Sequence, residues 1–203
     1  MRKIVVASGN QGKIREIRAK LETFGVELVS QKKLGVSEVP EDGLSFVENA
    51  LIKARNASRQ TGLPAIADDS GIVVPVLGGQ PGIFSARYAG ESASDKVNLQ
   101  KLLDELAKVS GDERSAYFYC AIVYVQYEED PTPLVSVGKW NGFIAESASG
   151  SDGFGYDPIF YLPEKGCTAA ALALVEKNRI SHRGLALTAF VDLYREAFAE
   201  YGL

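Results

Sequence analysis

The chain predicts an α/β fold built on a mixed sheet, and three observations predict it. A β-branched run at residues 3–7 ends in a glycine-bearing turn and passes straight into a helix-periodic segment, an order typical of parallel sheets. Residues 116–127 are apolar on both faces, which marks a central strand covered on two sides. Strand-like segments after Asp130-Pro131-Thr132-Pro133 pair as an antiparallel excursion, so the sheet is mixed.

The elements follow in order. After the first strand comes Ser8-Gly9-Asn10-Gln11-Gly12-Lys13, and then Ile14, Ile17, Leu21 and Phe24 recur at helical spacing until Gly25 closes the helix. A second strand spans 27–30. Ser45-Phe46-Val47-Glu48 has capping-box spacing and opens a helix to Gln60, with Gly62 behind it. Phe46, Val47, Ala50, Leu51, Ala54 and Ala57 form its buried face. A strand reaching Ala67 leads into the acidic turn Asp68-Asp69-Ser70-Gly71, and a further strand covers 72–77. Gly78-Gly79-Gln80-Pro81-Gly82 is a loop.

Ser94-Asp95 starts a helix in which Leu99, Leu102, Leu103 and Leu106 share a side, and it ends near Gly111. Past the central strand, 134–137 and 140–146 make the antiparallel excursion. A glycine-rich loop at 150–158 precedes a strand at 159–162, and 168–175 reads as helical. Ser181 caps a C-terminal helix with a broad apolar face of Leu185, Leu187, Phe190, Leu193, Tyr194, Ala197 and Phe198. No repeat, low-complexity tract or linker interrupts residues 1–203, so a single domain is expected.

Composition removes several classes of function. With 46% hydrophobic and 24% charged residues the chain is an ordinary globular protein. A net charge of −4 gives no general attraction to nucleic acid or to an anionic membrane. No apolar stretch approaches the roughly 20 residues of a membrane span. The first strand begins without a signal-peptide core, and Cys120 and Cys167 form no CxxC pair, so a reduced, cytoplasmic protein is expected. The single histidine, His182, excludes a multi-histidine zinc site, and no GxSxG elbow is present. Chemistry by carboxylate, metal, lysine and backbone remains.

Four segments carry that chemistry. Adjacent carboxylates at Asp68-Asp69, flanked by apolar runs, are costly unless neutralised, and a hard divalent cation prefers oxygen ligands. A turn bonding its own backbone explains one aspartate better than two. Glu41 and Asp42 could add a second anionic ligand, or form a solvated turn. Ser8–Lys13 lacks the GxxxxGK[ST] spacing; it either holds phosphate through N–H groups and the Lys13 ammonium or simply joins strand to helix. Gly153-Phe154-Gly155-Tyr156-Asp157 can stack a base on an aromatic face and accept its N–H, or plug the core with its rings. The run from Glu176 to Gly184 gathers Lys177, Arg179, His182 and Arg183 at a helix start, where cations are locally unfavourable.

Together these segments resemble the inosine/xanthosine triphosphate pyrophosphatases. The matching residues are Ser8-Gly9-Asn10 with Lys13 and Glu16; Phe46 with Glu48-Asn49-Ala50 and Lys53-Ala54; and Ala67-Asp68-Asp69-Ser70-Gly71. Further on they are Pro81-Gly82 with Ser85-Ala86-Arg87-Tyr88, Gly153 to Pro158, and Glu176-Lys177-Asn178 with Ser181-His182-Arg183-Gly184. The resemblance runs in order from residue 4 to about residue 190. Pro75, Ala171 and Val175 depart from it at positions away from the chemistry.

The resemblance implies a two-lobed α/β fold with an elongated mixed sheet, flanking helices and an active-site cleft between lobes. It implies Mg²⁺-dependent cleavage of ITP, dITP or XTP to the monophosphate and pyrophosphate by a homodimer. Asp69 would be general base and metal ligand, with Glu41 a further ligand and Asp68 behind it. Ser8, Gly9, Asn10, Gln11, Gly12 and Lys13 would hold the triphosphate, Ser70 would contact substrate, and Lys53 and Arg87 would add charge nearby. Phe154, Gly155, Tyr156, Asp157, Lys177, His182 and Arg183 would bind the base. Donors facing a 6-oxo group and an acceptor for N1–H fit inosine and are left unpaired by adenine, at roughly 1–3 kcal/mol per buried group, about a hundredfold for two. A less selective nucleotide pyrophosphatase, or a non-catalytic nucleotide sensor with no need of Asp69, are the competing readings.

Overall fold

The structure, a computed structural model, describes residues 2–21, 24–150 and 153–198. Its elements run β1 (Arg2–Val6), α1 (Gln11–Leu21), β2 (Val26–Ser30), α2 (Phe46–Thr61), β3 (Ala65–Val73), α3 (Asp95–Glu105), β4 (Ser115–Val125), β5 (Leu134–Ile144), β6 (Phe160–Leu162), β7 (Cys167–Thr168), α4 (Leu174–Ile180) and α5 (His182–Phe198), with short 3₁₀ turns between. The seven strands are ordered β2-β1-β3-β4-β5-β6-β7. β1 lies parallel to β2 and β3, whereas β5/β6 and β6/β7 are antiparallel, so the sheet is mixed as expected.

The chain forms two compact units, residues 1–69 with 120–138 and 185–203, and residues 70–119 with 139–184. In the first unit, Ile4, Val6 and Ile66 pack with Ile14, Ile17 and Leu21 of α1 and with Phe190 and Tyr194 of α5. The alternate strand residues Val5, Ala7, Ala65 and Ala67 pack instead on Ala50, Ala54 and Ala57 of α2. Period-two alternation thus splits one strand layer between two helical layers. The second unit has its own core, in which Leu99 and Leu102 of α3, with Leu106 just after it, meet Phe118, Trp140 and Phe160.

Where capping chemistry is explicit, the starts of α2 and α3 stand as read, although α3 ends at Glu105 and not near Gly111. Ser45 accepts from the Glu48 N–H and Gly62 closes α2 at φ 67°, while Ser94 accepts from the Val97 N–H at the start of α3. Four expectations change. Asp68-Asp69-Ser70-Gly71 is not a turn but the interior of β3, which then stops where Pro75 opens a 3₁₀ turn. Residues 134–144 are one continuous strand. The segment read as helix at 168–175 is instead the end of β7, a 3₁₀ turn at Ala169–Ala171, and the first residues of α4. Burial of Ala169, Ala170 and Leu172, and the Thr168 hydroxyl bond to the Ser149 carbonyl, outweigh alanine's helix preference there. On α5, Leu185 and Ala197 are exposed rather than buried.

Candidate active site

The alternation along β3 sends its two aspartates to different helices. Asp68 shares parity with Ile66 and meets α1: the Lys13 ammonium is 2.7 Å from its Oδ2. Asp69 shares parity with Ala65 and Ala67 and meets α2, where Lys53 Nζ is 3.2 Å from Oδ1 and Asn49 Nδ2 donates to Oδ2 at 3.4 Å. Asn49 and Lys53 are four residues apart, hence on one face of the helix. The two carboxylates are 3% and 8% exposed, so these cations are what makes their burial tolerable.

Glu41 joins the same cluster. Its Oε1 is 3.2 Å from Lys53 Nζ, so one ammonium bridges Glu41 and Asp69. The loop carrying Glu41 is fastened to α2 by the Gly43 N–H, which donates to Asn49 Oδ1 at 2.9 Å. A Cβ on Gly43 would stand 2.7 Å from the Glu48 Cβ and 2.8 Å from Asn49 Oδ1, so only glycine permits that approach. Three carboxylates face two ammonium groups, leaving one formal negative charge. Burial pushes Asp69 above the usual carboxylate range, and Glu41 adds to this while Lys53 opposes it. Burial pulls the Lys53 ammonium down, but Asp69, Asp68 and Glu41 outweigh it and hold that group above its ordinary value.

The chemistry of this donor set suits a hard cation. Asp69 and Glu41 offer carboxylate oxygens around one point now served by an ammonium, and magnesium characteristically takes one or two carboxylates and completes its shell with phosphate and water. Among the described residues no group of three or more metal-binding side chains stands ready. The residues therefore fit a metal that arrives with a phosphate ligand, not a resident all-protein cage.

In the turn before α1, Asn10 is the cap. Its Oδ1 accepts from the N–H groups of Gly12 (2.8 Å) and Lys13 (3.3 Å), and its own N–H donates to Ser8 Oγ at 3.2 Å. Two N–H groups expected to face an anion are thus satisfied within the turn. Ser8 is half-buried and Gly9 exposed; Gln11 opens the helix, and its side chain lies outside the described residues.

The second unit holds the other residues. Ser70, next after Asp69, accepts from Arg183 Nη2 at 3.1 Å. Phe154 is 53% exposed, with the Lys177 ammonium 5.1 Å and the Arg183 guanidinium 6.0 Å from its ring centre. Asp157 is buried; its Oδ2 takes the Lys177 ammonium at 2.5 Å and the Phe154 N–H at 2.8 Å. His182 is buried, stacked on Phe118 at 4.7 Å and near-parallel to Trp140. Tyr156 is core, not surface: its hydroxyl donates to the Ser85 carbonyl at 2.8 Å. Ser151 and Asp152 lie outside the described residues.

Two glycines make these approaches possible. A Cβ on Gly71 would stand 2.3 Å from Ser85 Oγ and 2.5 Å from the Gly82 carbonyl. Ser85 Oγ itself donates to that carbonyl and accepts from the Ile72 N–H, fixing the loop against β3. A Cβ on Gly184 would stand 2.0 Å from the Asn178 carbonyl oxygen, so α5 can start where it does only without a side chain there.

Sequence reading named Asn49 and Ser85 among the matching residues but gave them, like Asp95, no role in the site. Asn49 carries the plainest signal, a fully buried polar residue beside Ala50 and one turn before Lys53 on α2. Arg87, expected to add charge beside the phosphates, pairs with Glu91 at 3.7 Å and lies over Phe84. Neither Cys120 nor Cys167 is in a disulfide. Among the described residues no helix is long and apolar enough to cross a membrane.

Comparison with known proteins bears on this geometry. The Ham1 family matches residues 4–193. A dITP/XTP pyrophosphatase from Photorhabdus laumondii is 56% identical over 197 residues, 97% of this chain and 100% of the relative. One from Escherichia coli K12 is 54% identical over 195 residues, 96% and 99% of the two chains. A solved HAM1 protein structure from Coxiella burnetii superposes with a TM-score of 0.93 at 46% identity, covering 97% of this chain and 100% of that one.

Proposed function

Because this chain belongs to the Ham1 family, we propose that it hydrolyses deaminated purine nucleoside triphosphates (dITP, ITP and XTP) to the monophosphate and pyrophosphate. The observation that carries this reading is the buried Asp69 carboxylate, pushed up by burial and held by Lys53 and Asn49, with Glu41 on the same ammonium.

Asp69 takes the proton of the attacking water at its carboxylate, and a pKa raised toward working pH strengthens it as a base. Lys53 and Asn49 fix its orientation. Asp69 and Glu41 would hold Mg²⁺, which would supply charge neutralisation for the departing pyrophosphate. The turn Ser8–Lys13 takes the triphosphate, chiefly through the Lys13 ammonium and the groups left over by the Asn10 cap. Ser70 contacts substrate through the hydroxyl that Arg183 orients.

For the base, Phe154 offers its exposed ring and Gly155 keeps the loop thin. Lys177, His182 and Arg183 donate toward the 6-oxo position, and Asp157 accepts from N1–H. Tyr156 supports the loop from the core. The reading treats residues 1–203 as one catalytic domain, working in the cytoplasm as a homodimer.

Product analysis tests it. With Mg²⁺ and ITP the expected products are IMP and pyrophosphate, with much slower turnover of ATP and GTP. Equal rates across purines would replace it with an unselective pyrophosphatase, and tight binding without turnover with a sensor.

A further inference from the structure

We infer that Asp95, on α3, is a positioning residue for base binding: it holds the Phe154–Gly155 peptide so that the Phe154 ring is presented in one place. The inference rests on the base-stacking role proposed for Phe154.

Phe154 is half exposed, with the Lys177 and Arg183 cations over its ring, so its backbone has a large part in aiming it. Three hydrogen bonds set that backbone. The Phe154 N–H donates to Asp157 Oδ2 at 2.8 Å, and the Phe154 carbonyl accepts from the Asp157 N–H at 3.2 Å. Both are internal to the loop, which the Lys177–Asp157 pair and the Tyr156 hydroxyl anchor on its C-terminal side. The third comes from sixty residues away: the Gly155 N–H donates to Asp95 Oδ2 at 2.9 Å.

Glycine lies on both sides of Phe154, at φ 85° for Gly153 and 61° for Gly155, so the chain itself resists pivoting weakly. Asp95 is by contrast rigidly mounted. It is the first residue of α3, directly after the Ser94 cap, on a helix anchored in the core by Leu99 and Leu102. A site on a loop gains definition when a rigid element holds it from outside.

An acidic residue in a first helical turn also favours the helix dipole, which is a purely structural role. The experiment separates the two. Asp95→Ala, Asp95→Asn, Phe154→Ala and the Asp95→Ala/Phe154→Ala double variant are assayed with ITP. Amide exchange of Gly155 is followed in the nucleotide-free protein, and thermal melting alongside. Asp95→Ala is expected to raise KM about tenfold with kcat nearly unchanged, the scale of one charge-assisted hydrogen bond. Asp95→Asn, whose amide oxygen still accepts from Gly155, restores KM to near the parent value. Asp95→Ala adds nothing once Phe154 is gone, because the two act as one unit. Gly155 exchange speeds up in Asp95→Ala.

An unchanged KM or unchanged Gly155 exchange in Asp95→Ala, or effects of the two substitutions that simply add, overturns the inference. An unchanged KM in Phe154→Ala strikes the base-stacking role first, and the inference falls with it. If Asp95→Ala does not fold, Asp95→Asn decides: it keeps the bond and loses the charge, so a tenfold KM rise in that variant sinks the tether.

Discussion

The Lys53 ammonium lies 3.2 Å from Asp69 Oδ1, close enough that neither group's charge can be understood without the other. Burial drives Asp69 toward its neutral form while Lys53 restrains it, and Lys53 in turn keeps its proton because Asp69, Asp68 and Glu41 surround it. In the metal-free protein Asp69 should therefore release its proton above the ordinary carboxylate range, which its carboxyl NMR shift followed against pH would read. Lys53→Met removes the stronger of two lysine restraints and leaves Lys13 alone against burial and Glu41, so that titration moves to higher pH. Asp69→Asn should lower kcat by about 10²- to 10⁴-fold while retaining ITP binding. Near-normal turnover in that variant would take away its role.

The metal prediction follows from the donor count. Asp69 and Glu41 make two carboxylates, and among the described residues no larger group stands ready to hold a metal. Chelation should therefore abolish ITP turnover yet leave the melting temperature of the nucleotide-free protein unchanged. A structural metal would behave oppositely, because its binding free energy is folding free energy. Melting curves with EDTA, with and without ITP, read both effects.

What could be read from sequence divides along a physical line. α2 was legible because its signals are local: the Ser45 cap, Glu48 three residues on, the apolar stripe and Gly62. Asp68-Asp69 stood out because two adjacent carboxylates in apolar surroundings demand a cation, and the ammonium groups of Lys13 and Lys53 meet them. That the same residues continue a strand was not legible. Asp, Ser and Gly favour turns locally, and only Lys13 and Lys53, brought from α1 and α2, make an extended acidic segment tolerable. Ser85 and Asp95 escaped for a related reason. Each works through a main-chain group distant in sequence, Tyr156 reaching the Ser85 carbonyl and Gly155 reaching Asp95, and no spacing rule records such pairs.

Gly184 gives the sharpest steric prediction. The atom its Cβ would meet is the Asn178 carbonyl oxygen, a main-chain group that cannot swing aside. Gly184→Ala must displace the junction of α4 and α5, and with it Arg183 and its bond to Ser70. A loss of about 1–3 kcal/mol in denaturant unfolding is expected, typical of overpacking, with weakened ITP binding. Parent-like stability would mean the junction relaxes freely.

Tyr156 carries a prediction about alkaline pH. Its hydroxyl is held above its ordinary value by burial first, and then by Tyr88, Asp95 and Glu105. In the unfolded chain the same group ionises near pH 10. A group whose folded value is raised contributes stability that is complete below the unfolded value and is lost as pH climbs toward the folded one. Tyr156→Phe removes both the proton and the bond to the Ser85 carbonyl, costing about 1 kcal/mol at pH 8. Above pH 10 the gap between parent and variant should shrink, because phenylalanine has no proton for the unfolded state to release. Urea unfolding of the two proteins at pH 8 and at about pH 10.5 measures it; a gap that is constant or widening would show that the Tyr156 hydroxyl is not what burial holds neutral.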